Sequence, residues 1–122
     1  MLRRGLIFAV IAVAFDAVCA AIAAAAQFTY SQFYILAIVL FVAIGIYAGR
    51  VMVLPRALIA IAIAAVAEAT LGWYVAALIG PARPPSDISR TVLIAYGCFG
   101  VLVDFAAGAA GAVLGRRAAT QR

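Results

Sequence analysis

Four apolar runs, separated by short polar breaks, set the architecture of this chain. They cover residues 5–26, 33–49, 56–79 and 91–114. At about 1.5 Å rise per residue, helices of these lengths bridge roughly the 30 Å of hydrocarbon in a bilayer. The pattern therefore predicts an all-α integral membrane protein of four transmembrane helices in a single domain, with residues 115–122 as a polar tail.

The breaks between the runs support the same division. The first run ends at QFTYSQF, where Phe28, Tyr30, Phe33 and Tyr34 are placed as an aromatic belt at a membrane surface. In RVMVLPR, Pro55 stands just before a new helix, a position where its missing N–H does no harm. The segment GPARPPSDISR carries Gly80, Pro81, Pro84 and Pro85 and is expected to be the one true loop. The N-terminal run has the outline of a signal peptide, but Asp16 interrupts what should be an uncharged core, so it is expected to be a retained first span.

Composition sharpens this picture. The chain is 70% hydrophobic and 11% charged, with mean hydropathy +1.24, which excludes a soluble domain. All nine basic residues are Arg, and they cluster in the breaks rather than forming a stripe that could follow nucleic acid phosphates. With both termini placed on one side, that side carries seven arginines, at 3, 4, 50, 56, 116, 117 and 122, against Arg83 and Arg90 on the other. The positive-inside rule then puts both termini in the cytoplasm, in what is expected to be a bacterial cytoplasmic membrane. Cys19 and Cys98 both fall within spans, without metal-ligand spacing, and read as small buried residues.

An internal repeat is visible in the order of residues. A shift of 52 lays RGLIFAVIAVAFDA over RALIAIAIAAVAEA, matching Arg4 with Arg56 and Asp16 with Glu68. A shift of 66 lays GIYAGR over GAVLGR. The expectation is two tandem helical hairpins in the same orientation, related by a pseudo-twofold axis along the membrane normal.

Candidate chemistry is confined to three acids near the middle of their runs: Asp16, Glu68 and Asp104. An ionisable side chain at that depth is costly and marks a functional site or a specific packing contact. Every Arg is at a helix end and there is no His, so three carboxyls in a dry interior cannot all ionise; they hold protons or a cation. Each acid also lies on a stripe of small residues at spacing four, such as Ala60, Ala64, Glu68, Gly72 and Ala76, which lets helices approach closely. The alternative is structural: a protonated acid that bonds Thr70, Tyr47, Tyr96 or a carbonyl on a neighbouring helix. Trp73 and Tyr74 fit an interfacial anchor, and with Tyr47 and Tyr96 they are candidates to line a substrate path. A hydrolase triad is excluded without His, a zinc site cannot be built from two distant cysteines and no His, and GAAGAVLG lies inside an apolar run, where it serves packing rather than phosphate binding. No cofactor, metal or catalytic residue is expected.

In architecture alone, four helices with an embedded Glu resemble the small multidrug resistance exporters, which act as dimers and exchange protons for cationic drugs. That family carries its essential Glu in the first helix, where this chain has Asp16, so no family is assigned. The leading expectation is a proton- or cation-coupled transporter or channel working through Glu68 and Asp16, with Asp104 as a third site, in a homodimer or larger assembly. The alternative is a non-catalytic accessory subunit of a larger membrane complex. An intramembrane acid/base enzyme acting on a lipid or isoprenoid ranks third.

Overall fold

The computed structural model describes residues 2–27, 29–80 and 83–121, with the backbone alone at Tyr30 and Ser31. It is helical throughout, with no strand among the described residues. Four helices are long and apolar enough to cross a membrane: α1 (Leu2–Ala26), α2 (Tyr34–Val51), α3 (Leu54–Ile79) and α4 (Arg90–Thr120). A short 3-10 turn, Tyr30–Phe33, leads into α2. Phe28 of the expected aromatic belt and Pro81 of the expected loop lie outside the described residues.

Helix ends follow local chemistry. Pro55 occupies the first turn of α3 after an extended Val53, where no intrahelical donor is lost. Gly80 ends the same helix at φ 125°, a backbone region open to glycine. Ser89 caps α4, its hydroxyl accepting from the Val92 N–H at 3.3 Å. At the opposite end Arg4 donates to the Val51 carbonyl at 2.9 Å, satisfying an acceptor that the end of α2 leaves open. Helix α4 does not stop where the polar tail was expected: Arg116 and Arg117 are helical and exposed, and the helix runs on to Thr120.

The interior is built from small residues and the exterior from large apolar ones. Ala12, Ala20, Ala48, Ala57, Ala60, Ala64, Ala65, Ala76 and Ala112 are fully enclosed, with Phe41 and Ile61 as the bulky fillers. Val10, Ile35, Leu71, Leu78 and Leu102 stand between 60% and 71% exposed. Such an exterior is compatible with an apolar surrounding, since small residues at the contacts are what allow helices to pack there.

Packing does not follow the order of hairpins. Helix α1 lies along α3, and α2 lies along α4, both pairs running parallel, while α1 and α2 touch only slightly and α1 does not reach α4. Glycine makes the α2–α4 contact close. A Cβ at Gly45 would strike the Gly108 carbonyl, one at Gly49 the Ala112 carbonyl, one at Gly111 the Val42 carbonyl and one at Gly115 the Ile46 carbonyl. The stem of α3 packs onto α4 as well, with Ile61 filling the space over Gly108.

Candidate functional site

Helix α3 is not regular. It is α-helical over Leu54–Ala67, passes through a π-helical turn at Glu68–Gly72, and resumes as α-helix at Trp73–Ile79. The stripe of small residues accounts for the turn. Each four-residue step overshoots a turn of 3.6 residues by about 40°, so a run from Ala60 to Ala76 would drift off the contact face in a plain α-helix. A π turn takes in an extra residue and returns part of that drift. Ala60, Ala64, Gly72 and Ala76 are accordingly all buried. The π turn is a feature that sequence reasoning missed, although the unbroken spacing of four was its signal.

The three acids converge on this turn. The Glu68 carboxyl lies within hydrogen-bonding reach of the carboxyls of both Asp104, from α4, and Asp16, from α1. Two carboxylates in contact cannot both carry full charge, so a proton, or a cation in its place, must sit between them. A proton on Glu68 can be donated to either neighbour. Among the groups acting on Glu68 there is no basic side chain, and among the described residues no three of His, Cys, Asp and Glu are spaced to hold a metal ion.

The three differ in their surroundings. Asp16 is 3% exposed and presses its carboxyl onto Gly72, where an added Cβ would strike Oδ2. Glycine at 72 is thus what allows α1 to bring a carboxyl against α3. Asp104 is 1% exposed, and its Oδ1 is buried without a hydrogen-bond partner. Glu68 is only half-buried, so it is the member of the trio closest to the surroundings.

Thr70, considered from sequence as a partner for Glu68, instead donates to the Val66 carbonyl of its own helix at 2.6 Å. The aromatic candidates are not gathered at the trio. Tyr74 and Tyr96 are 64% and 74% exposed. Tyr47 is also exposed, on α2 one turn before its end, where its ring meets Phe8 edge-on at 6.2 Å. Trp73 is half-buried at the end of the π turn. Tyr34, which sequence reasoning placed only in the aromatic belt, lies within electrostatic reach of Glu68, Asp104 and Tyr96. Cys19 is buried one turn from Asp16, whereas Cys98 is exposed on α4, and the two thiols are free. An apolar groove of about 380 Å³ between α1 and α2, lined by Ile7, Phe8, Ile11, Ala43, Ile44 and Tyr47, belongs to the end that carries the termini.

Comparison with known proteins finds no matching family, no similar curated protein and no similar solved structure. The functional reading therefore rests on the site.

Proposed function

We propose that the chain is an integral membrane protein that moves protons, alone or coupled to another solute, through the Asp16, Glu68 and Asp104 cluster. One observation carries this reading: three carboxyls from three helices meet at a π-helical turn with no basic group among them. Structural packing alone does not require three acids in contact, because one protonated acid bonded to a carbonyl would hold two helices together at far lower desolvation cost. A shared proton between carboxyls is readily exchanged, which is the elementary step of a proton relay. π turns recur at functional sites for a related reason, since they leave backbone and side chains out of regular register.

The arrangement of arginines supports an orientation with both termini in the cytoplasm and the segment 80–89 outside, and the membrane we infer is a bacterial cytoplasmic one. Four helices enclose little space, and a homodimer is the expected unit. The pseudo-twofold repeat draws support from the α2–α4 contact. Under the shift of 66, Gly45 corresponds to Gly111, Gly49 to Gly115, Val42 to Gly108 and Ile46 to Ala112. Gly45 approaches Gly108 and Ala112 as Gly111 approaches Val42 and Ile46, and Gly49 approaches Ala112 as Gly115 approaches Ile46. Contacts that exchange partners in this way are what a twofold axis between parallel helices produces.

An accessory role in a larger membrane complex is the competing reading, favoured by the near-complete enclosure of Asp16 and Asp104. Purified protein in liposomes containing a pH-sensitive dye separates the two. Under an imposed proton gradient, wild type should show flux or solute-triggered proton release that Glu68→Gln and Asp16→Asn abolish while remaining folded. Absence of flux in wild type, together with a loss of thermal stability in Glu68→Gln, would instead make the carboxyls structural.

A further inference from the structure

Helices α1 and α2 run antiparallel side by side yet touch only slightly, and the apolar groove of about 380 Å³ lies between them. Phe8 from α1 and Ile44 from α2 are buried and form its floor. Ile7, Ile11, Ala43 and Tyr47 stand exposed along its edges.

Toward the termini both walls change from apolar to cationic at the same level. Arg3 and Arg4 lie one turn before Ile7 and Phe8, on their face of α1, and Arg50 lies one turn after Tyr47, on its face of α2. Arg4 spans the mouth. Its bond to the Val51 carbonyl, at 2.9 Å, joins α1 to α2 and uses one of the five N–H donors of the guanidinium. Arg3 and Arg50 are exposed on either side. A helical side chain leans back toward the N-terminus of its helix, which for Arg50 is toward the groove. From Arg4 the apolar wall continues to Ile11, seven residues on, or about 10 Å at about 1.5 Å per residue.

No acidic side chain offsets these arginines. The chain has four acids: Asp16, Glu68 and Asp104 meet at the π turn, and Asp87 stands in the segment 80–89 at the opposite end. A cleft that is cationic at its mouth and apolar behind it matches a phospholipid with a negative headgroup. Guanidinium groups bind phosphate through paired N–H bonds, and basic clefts between membrane helices on the cytoplasmic side suit such headgroups.

We propose that this groove binds one anionic phospholipid from the leaflet on the side of the termini, with its phosphate held by Arg3, Arg4 and Arg50 and an acyl chain lying over Phe8 and Ile44. The lipid ties together two helices that the protein's own contacts barely join. The proposal rests on the membrane-spanning reading above and is independent of proton movement.

Native mass spectrometry in neutral detergent, with equal amounts of dioleoyl phosphatidylglycerol and dioleoyl phosphatidylcholine, reads the preference. The acyl chains are the same, so a difference reports the headgroup. Wild type should retain phosphatidylglycerol in preference, and that lipid alone should raise its thermal stability. Arg3→Gln and Arg50→Gln should each weaken retention about fivefold, the worth of one arginine near an anionic lipid surface. The pair Arg116→Gln, Arg117→Gln removes two charges from the same end, on a helix that does not reach α1, and should leave retention unchanged. Ala43→Phe fills the exposed edge of the groove without altering charge and should also weaken retention, which a site made of arginines alone would not show.

Equal retention of the two lipids would overturn the proposal, as would an equal effect of the Arg116, Arg117 pair or displacement of the lipid by millimolar glycerol phosphate. Disulfide cross-linking of Ala43→Cys between two copies, in a Cys19→Ser, Cys98→Ser background, would also overturn it, because a second chain would then occupy the groove. Carbonate extraction of membranes keeps the two readings apart. Release of the protein in soluble form would sink both, whereas protein that stays in the membrane but binds the two lipids equally would sink the lipid site alone.

Discussion

Replacing Gly111 and Gly100 by alanine, one at a time, tests how this bundle is held together. Either change gains about 1 kcal/mol in helix propensity and reduced freedom of the unfolded chain. That term is common to both and cancels in the comparison. At Gly100 the new methyl meets nothing within 4 Å, so the gain is kept. At Gly111 it would strike the Val42 carbonyl oxygen and stand 3.1 Å from the Ile46 nitrogen and the Val42 carbonyl carbon. These are backbone atoms within a helix, and no side-chain rotation relieves the contact. Helices α2 and α4 must part, and overpacking of this kind costs about 1–3 kcal/mol. Gly111→Ala should therefore be less stable than Gly100→Ala by about 1–3 kcal/mol, an order-of-magnitude figure that neglects further losses along the interface. Unfolding in mixed micelles with rising SDS, followed by Trp73 fluorescence and far-UV circular dichroism, measures the difference. Equal stability of the two variants would refute the claim that close backbone approach at glycine joins α2 to α4. Gly45→Ala extends the test: its methyl would strike the Gly108 carbonyl and lie 2.9 Å from the Ala112 nitrogen. If the twofold relation holds, its cost matches that of Gly111→Ala, and a clear inequality would count against the repeat.

Other consequences can be checked alongside. Gly72→Ala places a methyl on Asp16 Oδ2, with Cγ 3.1 Å away; the carboxyl must swing from Glu68, so proton flux should fall more than thermal stability, and unchanged flux would refute the role of that contact. Asp104→Asn supplies an amide at a buried site where Oδ1 has no partner; it should leave the fold intact in circular dichroism while abolishing flux. Ser89→Ala removes the cap of α4 and should cost about 0.5–2 kcal/mol in the same SDS titration, toward the low end for an exposed cap. Thr70→Val deletes a hydroxyl bonded only to its own helix; it should leave proton flux unchanged, and a flux defect would reinstate Thr70 as a partner of the acids.

The helices themselves were legible in the sequence, because the property that makes them is one-dimensional. Uninterrupted apolar runs, Pro55 at a start and Gly80 at a stop act within a turn or two of their own positions, and no distant contact is needed to recognise them. The acids stood out for the same reason, each a lone charge in an apolar run. What α3 does at Glu68–Gly72 lay between the two levels: the spacing of four was present in the sequence, but only contact with α1 and α4 on one continuous face turns it into a π turn. Pairing was decided by tertiary structure alone. Ala and Gly are so frequent here that every helix offers a small-residue stripe, and only the close fit of Gly45, Gly49, Gly111 and Gly115 to carbonyls on the facing helix selects α2 with α4. Because α1 also lies along α3, it is packing, not sequence spacing, that gathers Asp16, Glu68 and Asp104 at one turn of α3.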